Sequence, residues 1–372
     1  MNKDVKKNLL NHSQIKVRLL GEYLKRYLNI IANDGYTERI IILDLFSGEG
    51  IYENGGEGSP MVILRKVKDL YYENVAKLKK IPKIDCHFND ANSDKIKKLK
   101  KSLEKKSLHQ SQFGDLSFST DDYQEIIPKI LTRISKLKNQ KLFIFIDPYN
   151  YKHIKSKQIK KLLETGKTEI LLWLPTQFMY RFHKNGTPKA LKDFIEEITP
   201  YKNWDSNESV WKFVTQLRDS FQNLIGDKKY VDSFTIQKDL ATVFCLFFFS
   251  SHIKGFEKML EAKWDIDTEQ GKGWIYTGNQ PSLFETIKTN PLEEKLRTFM
   301  SDNKKTNGEI YEFVLQSSFL PKHANEVFLN WQKSGSLEVK LKNGTLARKS
   351  SFYINYKYYK AEGDKVTYEI PN

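Results

Sequence analysis

Cysteine is nearly absent from this 372-residue chain. The two cysteines, Cys86 and Cys245, lie far apart, and each sits within a strand-like run. Two distant thiols exclude a disulfide framework and a cysteine-rich zinc site, and no cluster of His, Cys, Asp and Glu has the spacing of metal ligands. The sequence therefore predicts no metal site, and a reducing cytoplasm is the expected location.

Long apolar runs are also absent. No segment approaches the roughly 18 apolar residues of a transmembrane helix, and the first residues lead into a mixed polar segment rather than a signal-peptide core. The Gly-x-x-x-x-Gly-Lys-Ser/Thr phosphate loop and the Gly-x-Ser-x-Gly turn of serine hydrolases are missing too. These absences argue against a membrane protein, a P-loop nucleotidase and a serine hydrolase of that type.

Acidic residues are outnumbered by basic ones. Lysine and arginine total 61 against 46 aspartates and glutamates, which gives a formal net charge of +15. Such an excess favours binding to a polyanion, because neutralised phosphates release counterions. A nucleic acid, either DNA or RNA, is therefore an expected partner. A lysine-rich composition without any nucleic-acid role is the alternative.

Two apolar runs stop abruptly at an acidic residue. The first continues through a glycine loop, and its residues 41–50 read Ile-Ile-Leu-Asp-Leu-Phe-Ser-Gly-Glu-Gly. The second, residues 142–149, reads Leu-Phe-Ile-Phe-Ile-Asp-Pro-Tyr. Such runs are typical of buried parallel strands, and open α/β sheets bind ligands at the carboxyl ends of their strands. The two runs together predict a nucleotide-type pocket with a second polar cluster beside it.

Strand-like and helix-like segments alternate along the first 270 residues. Strands are expected to end at Asp44, Asn89, Asp115, Asp147 and Leu174, with helices between them and one before the first, at 12–33. After a helical insertion at about 176–230, two strands at 231–237 and 242–250 form an antiparallel finish. The pattern predicts a doubly wound, mostly parallel α/β sheet with an antiparallel last strand.

The order of elements changes beyond a turn-rich linker at 271–291. Helices are expected at 292–302, 308–316 and 321–334, and a hairpin is expected from strands at 337–341 and 346–356. Three helices followed by a hairpin predict a winged-helix-like α+β domain at 292–372. Its candidate nucleic-acid contacts lie at the start of the third helix and on the wing, namely Lys322, His323, Asn325, Lys340, Lys342 and Arg348. Use of this domain for protein contact is the alternative.

The phrase around the first glycine loop resembles the first motif of class I S-adenosylmethionine-dependent methyltransferases. That resemblance implies S-adenosylmethionine as the cofactor. The residues that would line its methionine end are Asp44, Phe46, Gly48 and Gly50. The same resemblance implies that Asp90 holds the ribose hydroxyls and that Asp115 contacts the adenine ring. Dinucleotide oxidoreductases would instead have a third glycine where this chain has Glu53.

The run Asp147-Pro148-Tyr149-Asn150 resembles the Asp/Asn-Pro-Pro-Tyr/Phe motif of adenine amino-methyltransferases. In that motif the side-chain oxygen and a prolyl carbonyl accept hydrogen bonds from the target amino group, and the aromatic ring stacks on the base. The resemblance makes Asp147, Pro148 and Tyr149 the candidate catalytic residues. This chain has one proline rather than two, and its aromatic residue comes one position early. The alternative is that Asp147 caps a helix and Tyr149 packs.

Four phrases taken in order resemble a narrower family, the three-Cys-motif partner (TcmP) family of prokaryotes. They are Asp-Leu-Phe-Ser-Gly-Glu-Gly-Ile-Tyr-Glu-Asn-Gly-Gly-Glu-Gly-Ser-Pro (44–60), Phe-Ile-Asp-Pro-Tyr-Asn-Tyr-Lys (145–152), Thr-Glu-Ile-Leu-Leu (168–172) and Ser-Ser-His-Ile-Lys-Gly-Phe-Glu-Lys-Met (250–259). Membership would imply a methyltransferase-like fold and a Cys-rich partner protein.

Three functions follow as expectations. The first is a methyltransferase acting on nucleic acid, with a base amino group as a candidate acceptor. The second is a catalytically silent module that scaffolds a Cys-rich partner or DNA, and the third is a transcription regulator. Three polar residues lie near the predicted pocket without a firm role. His12 and Lys16 share a helix face and are expected at the surface, with a position over the pocket as the alternative. His252 is either near the site or a hydrogen-bonded structural histidine.

Overall fold

The eight-stranded sheet of the first unit carries the cavity described below. The computed structural model describes residues 11–149, 151, 154–182, 188–200, 209–239, 242–275, 291–301, 303–361 and 363–371. The chain divides into two compact units, residues 1–276 and 277–372. Residues 276–290, which make up most of the predicted linker, and Asn150 of the second motif lie outside the described residues.

The sheet of the first unit has the order β3-β2-β1-β4-β5-β7-β6-β8. The strands are β1 (Arg39–Asp44), β2 (Lys83–Asn89), β3 (Leu116–Ser119), β4 (Gln140–Ile146), β5 (Thr168–Leu174), β6 (Tyr230–Asp239), β7 (Thr242–Ser250) and β8 (Gly273–Ile275). β7 pairs antiparallel with both neighbours, and the other pairings are parallel. The predicted doubly wound sheet with an antiparallel strand is confirmed, and β8 at its edge is an addition to the prediction.

Nine helices of the first unit are described. They are α1 (Asn11–Ala32), α2 (Ser59–Val75), α3 (Ser93–Lys106), α4 (Tyr123–Ile134), α5 (Ser156–Leu162), α6 (Thr176–Phe182), α7 (Lys189–Glu196), α8 (Val210–Ile225) and α9 (Ile253–Trp264). The last three before α9 occupy the predicted helical insertion. The start of α4 agrees with its sequence signal, because Asp122 caps it in a capping box with Glu125. The helix continues through Pro128, at which the sequence predicts an interruption.

Side chains of the buried strands point alternately to the two faces of the sheet, so each face has its own part of the core. Ile41 and Leu43 of β1 pack with Ile144 of β4 and with the apolar faces of α4, α5, α7 and α8. Successive side chains of a strand point to opposite faces, so Ile40 and Ile42 are buried on the other side. Both faces of β1 and β4 are therefore covered. This explains why their sequences read as continuous apolar runs.

Two boundaries at the pocket edge differ from the sequence prediction. The third strand lies at 116–119 rather than ending at Asp115, because its short, half-exposed Leu-Ser-Phe-Ser run carries little hydrophobic pattern. The Ser59-Pro60 pair predicts a helix with Ser59 as its cap, whereas α2 is capped by Gly58 and Ser59 is its first helical residue. Ser59 thereby stays available to the pocket, where its hydroxyl bonds Asp44.

The second unit contains three helices and a small three-stranded sheet. The helices are α10 (Pro291–Met300), α11 (Asn307–Gln316) and α12 (Pro321–Lys333), and the strands β9 (Lys305–Thr306), β10 (Glu338–Leu341) and β11 (Val366–Glu369) have the order β10-β11-β9. The predicted wing strand at 346–356 is wrong, since that segment makes only a single bridge, between Leu346 and Lys340. The full partner of β10 is β11.

Within the described residues no helix has the length and apolar character that crossing a membrane requires.

Candidate active site

A cavity of about 660 Å³ opens at the edge of the sheet where the parallel strands end. One wall is the loop after β1 (residues 46–52), and the opposite wall is Asp147-Pro148-Tyr149 after β4. This is the edge at which open α/β sheets bind ligands, and the volume lies within the roughly 300–1,000 Å³ of small-molecule sites. The cavity therefore brings together the two motifs that the sequence placed about a hundred residues apart.

Glycines shape the first wall. Gly48 and Gly50 have φ of +63° and +76°, a left-handed conformation that glycine adopts without steric cost. A Cβ added at Gly48 would meet no described atom within 4 Å, so the space beside its Cα is open to the cavity. At Gly50 an added Cβ would instead collide with Leu99 at 2.5 Å. Gly48 thus presents bare backbone to a ligand, whereas Gly50 packs against α3.

Asp44 lies fully buried at the end of β1. Its Oδ1 accepts a hydrogen bond from the Phe46 N–H at 3.3 Å, and the Ser59 hydroxyl also bonds the carboxylate. Oδ2 has no hydrogen-bond partner among the described residues. Burial, reinforced by the nearby charge of Asp147, raises the pKa of Asp44 to about 7. A buried carboxyl with an unused oxygen is suited to a cationic or hydrogen-bond-donating ligand.

Asp90 follows β2 and holds the glycine loop in place. Its Oδ2 accepts the Gly48 N–H at 3.1 Å and faces the Lys95 ammonium at 3.5 Å, while its Oδ1 accepts the Asn92 N–H at 3.0 Å. These contacts fix the corner between the ends of β1 and β2. The predicted contact of Asp90 with ribose hydroxyls remains a prediction, and its carboxylate is already engaged with the protein.

Asp147 forms an ion pair with Lys16 of α1, which is 131 positions away in sequence. The Lys16 side chain is 9% exposed, and its ammonium also lies 4.9 Å from the centroid of the Trp173 ring. Burial alone would lower the pKa of Lys16, but the Asp147 carboxylate outweighs that effect and raises it. Lys16 is therefore a buried cation on the Asp147 side of the cavity and not a surface residue.

Tyr149 is largely exposed, at 64%, rather than packed. Its hydroxyl accepts a hydrogen bond from Lys95, whose ammonium also lies 4.2 Å from the centroid of the tyrosine ring. Because Lys95 contacts Asp90 as well, it connects the wall after β2 with the wall after β4. The tyrosine ring thus stands at the mouth of the cavity, where it could stack on a planar group.

Aromatic rings form the remaining wall. Phe244 stacks on Trp173 with ring centroids 4.9 Å apart and on His12 with centroids 5.4 Å apart. Phe244 reaches this edge because β7 runs antiparallel, so that its first residues lie beside the end of β5. His12 is buried, and burial together with Lys238 and Lys16 lowers its pKa to about 4, so the ring is neutral at pH 7.

Several lining residues carried no firm role in the sequence prediction. His12 and Lys16 were expected at the surface, with a position over the pocket as the alternative, and Phe244 carried no predicted role. The signal for the first two was present, because they occupy the same stripe of α1 as the buried Leu20, Tyr23 and Leu24. A charged residue within an apolar helical stripe indicates a buried partner or a ligand.

The position of Asp115 contradicts its predicted contact with the adenine ring of the cofactor. It precedes β3 rather than ending it, and its carboxylate pairs with Arg39 at the start of β1, 3.2 Å away. Arg39 also binds Asp85, so this cluster belongs to the amino edge of the sheet. The acids that follow β3 are Asp121 and Asp122, and the N–H of Asp121 donates to the side chain of Asn89.

His252 lies at that amino edge too. β7 ends at Ser250, opposite Glu169 near the start of β5, and the Nδ1 of His252 accepts the Lys254 N–H to cap α9. Of its two predicted roles, the structural one is therefore confirmed. Both cysteines are buried free thiols, and no group of three or more possible metal-ligating side chains comes together in the described parts of the chain.

The candidate contact residues of the second unit divide into two groups. Lys322, Asn325, Lys342 and Arg348 are exposed. His323 is half-buried, and its Nδ1 accepts the Leu320 N–H at the start of α12. Burial lowers the pKa of His323 to about 4, so it carries no charge for a phosphate. Lys340 pairs with Glu338 and Glu369. His323 therefore stays a predicted contact residue, as a neutral ring rather than as a cation.

A second basic surface lies on α3, next to the cavity. Lysines occupy seven of the 14 residues of this helix. Lys98, Lys101, Lys105 and Lys106 line a groove together with Glu49 of the glycine loop. Glu49 pairs with Lys98 and Glu57 pairs with Lys106, whereas Lys101 and Lys105 are exposed one helical turn apart. The groove therefore retains excess positive charge.

Comparisons with known proteins agree with this two-part organisation. Residues 275–344 match the family model described as a GMT-like wHTH domain, which supports the predicted winged helix in the second unit. No curated protein matches the chain.

Among solved structures, the chain is similar to the methyltransferase domain of bacterial CtHen1, at 13% identity over 62% of this chain and 99% of that chain, with a TM-score of 0.31. It is also similar to the O-methyltransferase from Bacillus cereus in complex with SAH, at 11% identity over 67% and 92%, with a TM-score of 0.33. The rRNA methylase from Streptococcus thermophilus gives 9% identity over 62% and 93%, with a TM-score of 0.28.

Proposed function

We propose that this protein is an S-adenosylmethionine-dependent methyltransferase that acts on nucleic acid. The observation that carries the proposal is that the Gly48 loop and Asp147-Pro148-Tyr149 line the same cavity. That cavity lies at the carboxyl edge of a methyltransferase-type sheet. The first motif is suited to the cofactor and the second to the acceptor. The resemblance to the three-Cys-motif partner family stays a prediction.

The residues at the glycine loop fit the cofactor. Gly48 presents open backbone, and two buried polar atoms, Asp44 Oδ2 and Ser47 Oγ, find no hydrogen-bond partner among the described residues. Asp147 and Glu49 line the cavity, and Asp44 and Asp90 lie buried next to it, each bonded to the backbone of a lining residue. These carboxyl groups favour a ligand with a sulfonium and an ammonium group. When bound, S-adenosylmethionine would supply an electrophilic methyl group. Asp44 and Ser47 would hold its methionine end, and Asp90 would face the ribose.

The residues after β4 would orient the acceptor. Asp147 offers carboxylate oxygens, the carbonyl at Pro148 offers a further acceptor, and Tyr149 offers an exposed ring at the cavity mouth. In the motif that the sequence resembles, such a set serves a base amino group by offering hydrogen-bond acceptors and a stacking surface, but here Lys16 already occupies one of the Asp147 oxygens. A flipped or single-stranded base would therefore be one candidate for the reacting group.

Basic surfaces on both units support a nucleic-acid substrate. The groove on α3 adjoins the cavity and carries excess positive charge, and four of the exposed polar residues of the winged helix remain available for phosphate or base contact. Together with the net charge of +15, these surfaces would supply the sequence-independent part of binding. They do not distinguish DNA from RNA.

Two measurements test the proposal in order. Isothermal titration should show binding of S-adenosylmethionine and S-adenosylhomocysteine to the full chain. Transfer of a radiolabelled methyl group from S-adenosylmethionine to mixed DNA and RNA should then be detected in the acid-insoluble fraction. Absence of cofactor binding by the folded protein would refute the proposal at its first step.

A second candidate is a silent binding module that keeps the pocket as a scaffold for DNA or a Cys-rich protein. The observation in its favour is that the acceptor-side groups already have partners within the chain, since Lys16 pairs with Asp147 and Lys95 bridges Asp90 and Tyr149. Cofactor binding without transfer to any nucleic acid would favour this candidate.

A further inference from the structure

Lys16 places a positive charge beside the atom that would orient the acceptor. Its ammonium donates to Asp147 Oδ2, and both side chains line the same cavity as Ser47 and Gly48. Among the described residues, the ionisable groups near Asp147 are Lys16 from α1, Asp44 from β1, and the neutral phenols of Tyr52 and Tyr149. Lys95 of α3 lines the same cavity, but its ammonium bonds the Tyr149 hydroxyl and Asp90. Lys16 is the cation in contact with the Asp147 carboxylate.

Such a cation disfavours an amino acceptor. A nitrogen that attacks a methyl group gains positive charge until it loses a proton, and a neighbouring ammonium raises the energy of that state. An amino group would also have to compete with Lys16 for the Asp147 oxygens. A site that serves an amino group needs hydrogen-bond acceptors, whereas Lys16 adds a donor and a charge of the wrong sign.

The same cation favours an oxygen acceptor. A hydroxyl oxygen becomes a strong nucleophile as it loses its proton and gains negative charge, which an ammonium stabilises. The adjacent carboxylate supplies a base for that proton. Lys16 and Asp147 therefore form a donor and acceptor pair that matches a hydroxyl group, which needs one partner of each kind as it reacts.

We propose that the acceptor atom is a hydroxyl oxygen, the ribose 2′-hydroxyl of RNA, and that Lys16 stabilises the negative charge that develops on it. This inference rests on the proposed methyl transfer to nucleic acid. Within a nucleic-acid strand the 2′-hydroxyl is the alcohol that distinguishes RNA from DNA. The inference therefore also assigns the substrate as RNA.

The step balances without a further reactant. The hydroxyl oxygen forms a carbon–oxygen bond with the methyl carbon as the methyl carbon–sulfur bond of the donor breaks. The hydroxyl proton passes to the Asp147 carboxylate and from there to solvent. The electron pair of the broken bond stays on sulfur, so the sulfonium leaves as a neutral thioether and the product is a neutral methyl ether.

The position of the methyl group in the product is the decisive measurement. RNA and DNA of identical sequence are incubated with the full chain and labelled S-adenosylmethionine, digested to nucleosides and analysed by mass spectrometry with fragmentation between base and sugar. The label should appear in RNA and stay with the sugar fragment. Label on a base, or equal labelling of DNA, would overturn the inference while leaving methyl transfer itself established. No label in either nucleic acid overturns the inference together with the proposed transfer, and cofactor titration then shows whether the cofactor site fails as well.

Two substitutions separate the roles of the pair. Asp147→Asn keeps an oxygen that accepts hydrogen bonds but cannot take up a proton, so turnover should fall by about a hundredfold or more. If the acceptor were an amino group, the amide oxygen would suffice and turnover would change little. Lys16→Met should lower kcat by a similar factor, Lys16→Arg should restore part of it, and Lys25→Met on the exposed face of α1 is the matched control.

The separation of kcat from KM gives a readout that loss of packing would not reproduce. Lys16→Met should lower kcat while KM and cofactor affinity change little, because the negative charge that Lys16 stabilises develops only in the transition state. The Lys25→Met variant should keep both parameters at the wild-type values. Unchanged kcat in folded Lys16→Met would show that Lys16 does not act on the reacting oxygen.

Discussion

The backbone N–H of Gly48 donates to the carboxylate of Asp90 at 3.1 Å, which ties the loop after β1 to the end of β2. The two residues lie 42 positions apart, and neither motif alone fixes the corner that they form. Because Gly48 is in the left-handed region, its N–H can point at Asp90 while its other side stays open to the cavity. Cofactor affinity should therefore depend on this corner.

Gly48→Val should abolish measurable binding of S-adenosylmethionine. Valine would fill the open side of the loop and would also strain the backbone at φ +63°. Gly35→Val is the matched control, because Gly35 has φ +74° and open space around it but lies in the turn after α1. Both variants should lose similar stability in thermal unfolding, and only Gly48→Val should lose cofactor in titration calorimetry. Equal cofactor affinity in folded Gly48→Val would place the pocket elsewhere.

Cofactor affinity should rise with pH between about 6 and 8. The pKa of Asp44 is raised to about 7 by burial, so its carboxyl loses its proton across this range. The charged form attracts a cationic ligand, and binding should release a fraction of a proton near pH 7. Calorimetry in buffers of different ionisation enthalpy measures that release. Asp44→Asn should bind more weakly and show neither the pH dependence nor the proton release.

The raised pKa of Asp44 also predicts a stability trend with the opposite sign. In the folded state the carboxyl holds its proton up to about pH 7, whereas in the unfolded chain it loses it near the ordinary value of 3.8. Its contribution to the free energy of unfolding is complete below the unfolded pKa and is lost as pH rises through the folded pKa. Denaturant unfolding of wild type and Asp44→Asn between pH 4 and pH 8 should show a steeper decline for wild type. Parallel curves would contradict the assignment.

Breaking the pair of Lys16 and Asp147 from one side should cost more stability than removing both charges. The two side chains are 9% and 21% exposed, so an unpaired Lys16 would remain largely desolvated. Asp147→Ala should lower the free energy of unfolding by roughly 2–3 kcal/mol, whereas Lys16→Met with Asp147→Ala should recover about half of that loss. Chemical denaturation of the two single variants and the double variant gives the coupling. Additive losses would mean that the pair has no energetic coupling.

Nucleic-acid affinity should fall steeply with salt, because each phosphate neutralised adds roughly 0.7–0.9 to the slope of log affinity against log salt. Substituting Lys322, Lys342 and Arg348 by alanine should weaken binding across all sequences and flatten that slope. The matched control removes the same charge from the exposed segment 77–80, at Lys77, Lys79 and Lys80. Fluorescence anisotropy across a salt series measures both slopes.

The two triple variants also decide which surface binds. A steep wild-type salt slope that the substitutions at Lys322, Lys342 and Arg348 leave unchanged would indicate that the α3 groove binds the nucleic acid. The double variant Lys101→Ala with Lys105→Ala should then flatten the slope. A wild-type slope near zero would count against a nucleic-acid partner altogether.

Local sequence was sufficient for the elements that are buried on both sides. β1, β4 and β5 read as unbroken apolar runs, because helices cover both faces of the sheet there. The antiparallel strands β6 and β7 were predicted from their apolar content and the short connection between them. β3 and β8 were misplaced or missed. A half-exposed strand of four residues and an edge strand of three carry too little pattern to be distinguished from loop.

The wing was predicted wrongly because its strand pairing joins segments that are distant in sequence. The sequence near Lys342-Asn343-Gly344 has the signal of a hairpin, yet β10 pairs along its length with β11, some 25 residues further on. A local turn signal states where the chain reverses, but it does not state which strand completes the sheet. That choice depends on the packing of Tyr368 against Phe328 of α12, which has no local trace in the sequence.

The sequence by itself determined that a glycine loop and an Asp-Pro-Tyr segment follow two buried strands, because strand ends and turns are set by neighbouring residues. Only the tertiary structure decided what surrounds them. The packing of α1 places Lys16 against Asp147, and the antiparallel direction of β7 brings Phe244 to the same cavity. It also turned Asp115 toward Arg39 at the far edge. Lys16 and Asp147 are 131 positions apart in sequence, and Phe244 stacks on the still more distant His12. Contacts between such distant residues depend on the packing of the whole sheet and not on any local pattern.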